Sequence, residues 1–207
     1  MRYAITVAVV ALLATVPFPT PIAAGAAAQA ALPLPLRLDA FAVNMGTVGP
    51  GAAGMVDMRI TRWSSDADRT RIIETMVGKG QDALLRLLQN LPSVGRLRFP
   101  NLPGPDRQGI RLGWDIRYSR LTPLPDGGHR IVLALDRTMS FLEVANQPRT
   151  VDYPFTLIQI QLGKNLEGEG KLALGTKITF DKKKKVIELE NYSSEPVRLN
   201  TVKASKG

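Results

Sequence analysis

The sequence predicts a mainly β protein of the α+β class: an antiparallel β-sandwich or short barrel of about eight or nine strands, with a bent helix or helix pair packed on it. Apolar and polar residues alternate over short segments through most of the chain beyond residue 92. One region before that point has helical periodicity, and turn sequences rich in glycine and proline separate the segments. Strands with one apolar face must bury that face against another sheet, against a helix or by closing into a barrel.

The beginning of the chain has the order of a cleaved export signal. A basic residue is followed by a 13-residue apolar run (AITVAVVALLATV), by prolines and then by small residues, and cleavage is expected after Ala28 or Ala30. The run is well short of the roughly 20 residues that a membrane anchor needs. We therefore expect a signal peptide over 1–30, and a single mostly antiparallel β domain over 31–207 with a helical insert near 65–91. The expected location is periplasmic or extracellular.

Composition limits the chemistry that the protein can perform. The 207 residues include 27 lysines and arginines, 18 aspartates and glutamates, one histidine and no cysteine. Without cysteine there is no thiol catalysis, no zinc-thiolate site and no lipid-modified cysteine, and a lone His129 excludes a histidine-rich metal site. We expect neither a metal nor a cofactor. After removal of the leader, 26 basic and 18 acidic side chains remain on 177 residues, so the mature protein is basic.

The first strands are expected soon after the leader. Residues 37–44 (RLDAFAVN) follow a proline-containing lead-in, which favours pairing at a sheet edge. The glycine-rich stretch 46–54 predicts a loop. Val56, Met58 and Ile60 then alternate with polar residues, which predicts a half-buried strand.

A helix or helix pair follows and begins near Ser65. The Ser65 hydroxyl can accept a hydrogen bond from a free amide of the first turn, and Asp68 completes a capping box. The segment 78–80 (GKG) interrupts the helix, and Pro92 ends it. The apolar stripe consists of Ile72, Ile73, Met76 and Val77 before the interruption and of Leu84, Leu87, Leu88 and Leu91 after it.

Beyond Pro92 the sequence predicts a β meander. In the clearest strand, 110–118, the apolar side chains are expected on one face: Ile110, Leu112, Trp114, Ile116 and Tyr118. The sequence PDGG at 125–128 predicts a tight turn. Further strands are expected at Ile131–Leu135, Ile158–Leu162, Leu172–Phe180, Ile187–Leu189 and Val197–Val202, with a turn at Asn165–Gly170.

The inward face of these strands is the basis of the leading functional interpretation. We expect an exported cell-envelope protein that binds an apolar or amphipathic ligand, such as a lipid or another apolar small molecule, or an envelope protein partner, or has a structural role. In the cavity version of the fold the pocket would be lined by Trp114, Tyr118, Leu133, Ile160, Leu174 and Phe180. In the filled version the same side chains are core, and the alternation is identical in the two versions.

An alternative interpretation starts from the basic residues and predicts an adaptor that adheres to an anionic envelope polymer or membrane surface. The candidate contacts are Lys182, Lys183, Lys184 and Lys185, which project from a turn between two strands, together with Arg111 and Arg117 on one polar strand face. Four lysines supply at most about 4 kcal/mol near an anionic membrane, enough for weak, salt-sensitive adhesion. The simpler interpretations are a solvated turn and ion pairs of the arginines with Asp115 and Asp136 on a wet face. Nucleic acid is a disfavoured partner, because the aromatic residues are expected opposite the arginines.

Enzymatic activity stays open, with a non-enzymatic role favoured. The carboxylate pairs that a hydrolase would need are Glu167 with Glu169, Glu188 with Glu190, and Asp66 with Asp68. The pattern places each pair at exposed positions, where nothing desolvates a carboxylate. No G-x-S-x-G motif supports a serine nucleophile. We therefore assign no catalytic residue and rank an envelope hydrolase third.

Overall fold

The structure is a computed structural model, and it describes residues 32–44, 53–100, 113–137, 155–173, 178–181, 186–189 and 197–207. Within these residues the chain forms ten strands and two helices. The strands are β1 (Leu36–Asn44), β2 (Ala53–Ile60), β3 (Gly95–Arg98), β4 (Gly113–Pro123), β5 (His129–Leu135), β6 (Thr156–Leu162), β7 (Glu167–Ala173), β8 (Ile178–Asp181), β9 (Val186–Leu189) and β10 (Val197–Lys206). The helices α1 (Asp66–Lys79) and α2 (Gln81–Asn90) lie between β2 and β3 in the chain.

Eight of the strands close into an antiparallel barrel. Around the ring the order is β1, β2, β3, β4, β5, β6, β7 and β10, and each strand pairs antiparallel with both of its neighbours. The α+β prediction is confirmed, and of the two expected architectures the structure has the barrel. The expected edge position of β1 is wrong, because closure of the ring pairs β1 with β2 on one side and with β10 on the other.

Alternation along the eight barrel strands directs one set of side chains into the barrel. The fully buried members of one continuous cluster include Leu38, Val56, Met58, Ile60, Leu97, Ile116, Ile131, Leu133, Leu135, Ile158, Ile160, Leu172, Leu199 and Val202. Burying a side chain of this kind stabilises the fold by about 1.5–3 kcal/mol. This cluster is therefore the main source of stability, and the side chains between its members point to the outside.

A β-bulge in β10 changes the inward set. Leu199 and Val202 are three positions apart and both lie in the core, whereas their partners on β7 are only two apart. The extra residue is accommodated next to Thr201, whose φ of +52° lies in the left-handed region. Strict alternation would have placed Thr201 in the core.

A second bulge, in β4, overturns the prediction that the apolar residues up to Tyr118 share one face. Between Ile116 and Tyr118 the register with β5 shifts by one residue, at Arg117. Ile116 therefore packs inside the barrel, whereas Tyr118 points outward into a second apolar cluster. The extra residue inverts inside and outside for the rest of the strand, so that Ser119 and Leu121 lie on the inward face.

The helices begin and break where the sequence predicts. The Ser65 hydroxyl accepts a hydrogen bond from the Asp68 amide at 3.1 Å, and the Asp68 carboxylate accepts one from the Ser65 amide at 3.2 Å, which confirms the capping box. Gly80 separates α1 from α2 with a φ of +80°, a conformation that glycine adopts without steric cost. The second apolar cluster joins the helices to the outside of the barrel wall, and its buried members are Ile72, Leu84, Leu88, Leu91, Tyr118, Ala134 and Phe155.

The strand predicted at Leu172–Phe180 is wrong, because two strands of different sheets occupy that range. β7 ends in the barrel at Ala173, and β8 pairs with β9 in a separate two-stranded sheet. The turn predicted at Asn165–Gly170 is also shorter than expected, since β7 begins at Glu167. A strand interrupted by a connection has the same apolar pattern as an unbroken one, so alternation alone does not separate the two cases.

Candidate anion-binding face

Strands β1, β2 and β3 present arginines to the outside of the barrel. Arg37 lies directly opposite Arg59, and Arg59 lies directly opposite Arg96. Their chain neighbours, such as Ile60 and Leu97, are buried in the core, which directs the three arginine side chains outward. We call Arg37, Arg59 and Arg96 the arginine row.

Among the residues that the structure describes, carboxylates form ion pairs with only one member of the arginine row. Arg37 Nη2 lies 3.0 Å from Asp39 Oδ1 and 3.4 Å from Asp57 Oδ2. Arg59 and Arg96 form no ion pair with any residue that the structure describes. Like charges directly opposite each other destabilise an antiparallel pair.

Arg98 extends the basic face beside the arginine row. Its Nη2 donates a hydrogen bond to Asp57 Oδ2 at 2.8 Å, and the Asp57 side chain is only 9% exposed. Asp57 is thus shared between Arg37 and Arg98. This nearly buried carboxylate binds the guanidinium groups of Arg37 and Arg98, and among the described residues no carboxylate pairs with Arg59 or Arg96.

Gly113, at the start of β4, makes room for the Arg96 side chain. A β-carbon at position 113 would lie 2.9 Å from Arg96 Nη2 and 3.0 Å from Arg96 Cζ, and closer still to Nε. The Arg96 guanidinium group therefore lies against the glycine. Asp115 is directly opposite Arg96, but its carboxylate pairs with Arg117 at 3.3 Å.

Arg137, just after β5, approaches Gly113 from another side. Its Nη2 donates a hydrogen bond to the Gly113 carbonyl oxygen at 2.8 Å. Its Cζ lies 5.9 Å from the centroid of the Trp114 ring, within the range of a cation–π interaction. Trp114 in turn packs edge to face on Phe99, with ring centroids 5.6 Å apart. These contacts orient Arg137, which stays exposed.

Arg117, a predicted anion contact, has internal partners. Its Nε donates to Asp136 Oδ2 at 2.8 Å, its Nη2 lies 3.3 Å from Asp115 Oδ2, and its Nη1 donates to the Leu91 carbonyl oxygen at 3.1 Å. The ion pairs expected with both aspartates are therefore present. Because the bulge in β4 aims Arg117 at the end of α2, its 20% exposed side chain ties the helix pair to the barrel. Binding of an external anion by Arg117 stays a prediction, and these contacts disfavour it.

The residues predicted to line a pocket lie in different parts of the fold. Leu133 and Ile160 are fully buried in the barrel core, and Trp114 packs on that core from its edge. Tyr118 lies in the cluster beneath the helices, and burial there raises the pKa of its phenol above the usual 10.0. A ligand inside the barrel stays a prediction, and the continuous cluster around Leu133 favours the filled version.

Several predicted contacts lie outside the described residues. These are Leu174, the side chain of Phe180, Arg111, and the run Lys182, Lys183, Lys184 and Lys185. The strands that flank the lysine run, β8 and β9, pair with each other, with Asp181 opposite Val186. The roles of these residues therefore stay predictions.

The glutamate pairs considered for hydrolysis do not form an enclosed site in the described part of the chain. Glu167 and Glu169 are exposed on β7, and Glu167 Oε1 lies 3.1 Å from Lys203 Nζ. Both glutamates line an open polar cleft of about 560 Å³ beside the bulge in β10. Glu190 and the side chain of Glu188 lie outside the described residues. The contacts of Glu167 are those of a hydrated surface.

The third pair, Asp66 and Asp68, stabilises the beginning of α1. Asp68 belongs to the capping box, and Asp66 binds Arg120 Nη1 on β4. The hydrogen bond from Arg120, together with its positive charge, lowers the pKa of Asp66 below the usual 3.8. Ionised carboxylates at a helix N-terminus are stabilising, so a structural role accounts for both residues.

The arginine row was not predicted as a unit. The sequence predicted the outward direction of Arg59 alone, from its alternation with Met58 and Ile60, and it predicted no strand at the position of Arg96. The alignment of the three arginines depends on the register between β1, β2 and β3. Register is a property of strand pairs, and no single strand sequence contains it.

Within the described ranges, no group of three or more histidine, aspartate or glutamate residues is arranged to hold a metal ion. Neither of the described helices combines the length and the apolar composition needed to cross a membrane. Comparison of the chain with protein-family models, curated proteins and solved structures finds no match.

Proposed function

We propose that this protein is a non-enzymatic basic binding module of the cell envelope that holds a linear anionic polymer across strands β1, β2 and β3. The observation that carries the proposal is the position of Arg59 between Arg37 and Arg96, with no carboxylate partner for Arg59 or Arg96 among the described residues. Aligned, exposed guanidinium groups are suited to two-point contacts with phosphate or carboxylate groups. The predicted export leader and the excess of basic residues in the mature chain support an envelope polymer as the partner.

The shape of the wall favours a chain-like partner over a flat one. Adjacent strands lie about 4.8 Å apart, so the backbone positions of the arginine row span about 10 Å around the barrel. The wall of an eight-stranded barrel curves away on both sides of this strip. A flexible polymer with regularly spaced anionic groups can follow that curve, whereas a planar bilayer touches only a narrow part of it.

The expected affinity is modest and sensitive to salt. A basic side chain near an anionic surface contributes about 1 kcal/mol. Arg59 and Arg96 together therefore contribute about 2 kcal/mol, which corresponds to roughly a 30-fold change in the dissociation constant. Exposed charges are screened over about 8–10 Å at physiological ionic strength, so retention on the polymer should fall steeply as salt is raised.

Binding to long-chain inorganic polyphosphate tests the proposal. The Arg59→Gln/Arg96→Gln variant removes two charges from the arginine row. The matched control, Arg71→Gln/Arg86→Gln, removes two exposed charges from α1 and α2, away from β1–β3. At low salt the dissociation constant should rise roughly 30-fold for the row variant, and less than about threefold for the control.

The outcomes separate a site from a general charge effect. Thermal unfolding should show the row variant to be at least as stable as the wild type, because repulsion between neighbouring arginines is relieved. Equal losses of binding in the row variant and the helix control would show that net charge alone drives binding. Tighter binding of the wild type to phosphatidylglycerol vesicles than to polyphosphate would replace the polymer by a membrane surface.

A further inference from the structure

We infer that the open polar cleft beside the bulge in β10 binds one ring of a neutral saccharide. Glu169, Arg198 and Asn200 hydrogen-bond to the hydroxyl groups of the ring. The aromatic side chain of Phe41 supports its apolar face. The cleft is lined by residues of β7 and β10, whereas the arginine row lies on β1, β2 and β3. Its ligand is therefore independent of the proposed polymer.

The bulge in β10 creates the cleft. One residue of β7, Glu169, faces two residues of β10, Asn200 and Thr201, because the register between the strands shifts there. Regular alternation exposes only one of two neighbouring residues, but here both Asn200 and Thr201 are exposed. Bulges re-aim side chains in this way and are over-represented next to active sites. The cleft has a volume of about 560 Å³, within the range of about 300–1,000 Å³ that is typical of ligand sites.

Polar groups that line the cleft lack partners within the described part of the chain. Glu169 and Arg198 have opposite charges and line the same cleft, but neither forms an ion pair there. The Asn200 side chain likewise makes no hydrogen bond to a described residue. The cleft therefore offers a carboxylate that accepts hydrogen bonds, a guanidinium fork that donates them, and an amide that does both.

The charges around the cleft favour a neutral ligand. The carboxylate of Glu167 is paired with Lys203, whose Nζ lies 3.1 Å from Oε1. The remaining charges of the lining are the carboxylate of Glu169 and the guanidinium group of Arg198, which balance each other. A hydroxyl group both donates and accepts hydrogen bonds, so neighbouring hydroxyl groups of one sugar ring can satisfy a carboxylate and a guanidinium group together.

Phe41 provides an exposed aromatic surface beside the cleft. It lies directly opposite Asn200 in the pairing of β1 with β10, which brings the two β-carbons to about 4.5–5.5 Å from each other. Its chain neighbours Ala40 and Ala42 are buried, so the Phe41 ring points outward, and the residue is 41% exposed. The negative face of an aromatic ring attracts the partly positive C–H groups of a sugar ring. A small zwitterion, such as a free amino acid, has no comparable C–H face.

Titration with neutral trisaccharides tests this site. The probes are cellotriose, maltotriose and chitotriose, and the signals are the backbone amide resonances of Gly168 and Thr201, which line the cleft. At least one probe should shift these resonances saturably, with a dissociation constant of roughly 1 mM, because a few hydrogen bonds hold the ligand in an open cleft. Raising the salt concentration should leave this affinity unchanged, since the probes carry no charge.

Substitutions in the cleft should weaken binding of the saccharide. Glu169→Gln loses the charge that strengthens its hydrogen bonds, and Asn200→Ala loses the amide, so each should raise the dissociation constant by about tenfold. Phe41→Leu keeps an apolar side chain without the aromatic face, and it should raise the constant by about fivefold. The matched controls, Glu74→Gln on α1 and Met55→Leu on β2, are exposed and should bind like the wild type.

Three results would overturn the saccharide cleft. The first is the absence of a saturable shift with any probe up to about 50 mM. The second is wild-type affinity in Glu169→Gln, Asn200→Ala or Phe41→Leu, with thermal unfolding used to verify that these variants are folded. The third is glycine that binds as tightly as the best saccharide, which would make the ligand a zwitterion.

The arginine-row variant separates this site from the proposed polymer site. Arg59→Gln/Arg96→Gln should bind the saccharide like the wild type while it loses polyphosphate. Glu169→Gln should in turn keep the wild-type affinity for polyphosphate. Loss of polyphosphate binding in the row variant, together with no saccharide binding by the wild type, would refute the saccharide cleft and leave the proposed function standing.

Discussion

Substitutions of Leu133 distinguish a filled barrel from a barrel with a ligand cavity. The side chain of Leu133 is 0% exposed, and it lies directly between Ser119 on β4 and Ile158 on β6. Leu133→Ala and Leu133→Phe perturb this position in opposite directions, since one shortens the side chain and the other enlarges it. The two changes together report how much space surrounds the residue.

In a filled interior both substitutions should lower the free energy of unfolding. Leu133→Ala loses buried methyl groups and leaves a void, at a cost of about 2–5 kcal/mol. Leu133→Phe forces its neighbours to move, at a cost of about 1–3 kcal/mol. In a barrel with a ligand cavity the larger ring would enter the cavity at little cost, so the Phe variant is the decisive one.

Equilibrium urea unfolding, followed by tryptophan fluorescence, measures both changes. Val77→Ala is the matched control, because Val77 is 51% exposed on α1 and its truncation should change stability by less than about 0.5 kcal/mol. A Leu133→Phe variant as stable as the wild type would refute the filled core. The apolar-ligand hypothesis would then take precedence over the polymer.

Two further predictions concern the junction between the helices and the barrel. Arg117→Ala should lower the free energy of unfolding by about 2–3 kcal/mol. The reason is that the carboxylate of Asp136, which is 14% exposed, and the carbonyl group of Leu91, the C-cap of α2, both lose a charged hydrogen-bond donor. Urea unfolding against Arg86→Ala, an exposed helix control, measures this loss, and a change below about 0.5 kcal/mol would contradict the tie between α2 and the bulge. Burial raises the pKa of Tyr118 in the folded state, so the phenol ionises first in the unfolded chain. The stability that the un-ionised Tyr118 phenol contributes is complete below about pH 10 and is lost as pH rises through the folded-state pKa. Urea midpoints between about pH 9 and 11 should therefore fall more steeply for the wild type than for Tyr118→Phe, and parallel slopes would contradict the burial of an un-ionised phenol.

The features that the sequence predicted well are those whose signals lie within a few residues. The capping box depends on Ser65 and Asp68, which are three positions apart, and the break between the helices depends on Gly80. The turn before β5 likewise has its signal in the four residues 125–128. Hydrogen bonds and backbone conformations that depend on residues a few positions apart are decided locally, so tertiary packing did not change these features.

The prediction that extended alternation along β4 to Tyr118 was wrong because a bulge intervenes. The bulge at Arg117 moved Tyr118 from the core to the outside, and the bulge near Thr201 brought Val202 into the core. A single extra residue reverses the two faces, and its place depends on how the neighbouring strands pair. Alternation within one strand does not contain that information.

From the sequence alone followed the mainly β class, the helix pair with its ends, and the outward direction of the polar residues, Arg59 among them, that alternate with Val56, Met58 and Ile60. The tertiary structure alone decided that eight strands close into a barrel and that Arg37, Arg59 and Arg96 align. The physical reason is distance along the chain. Strand and helix formation depends on neighbouring residues, whereas a surface site on a barrel is built across strands, by a register that only the closed ring of hydrogen bonds determines.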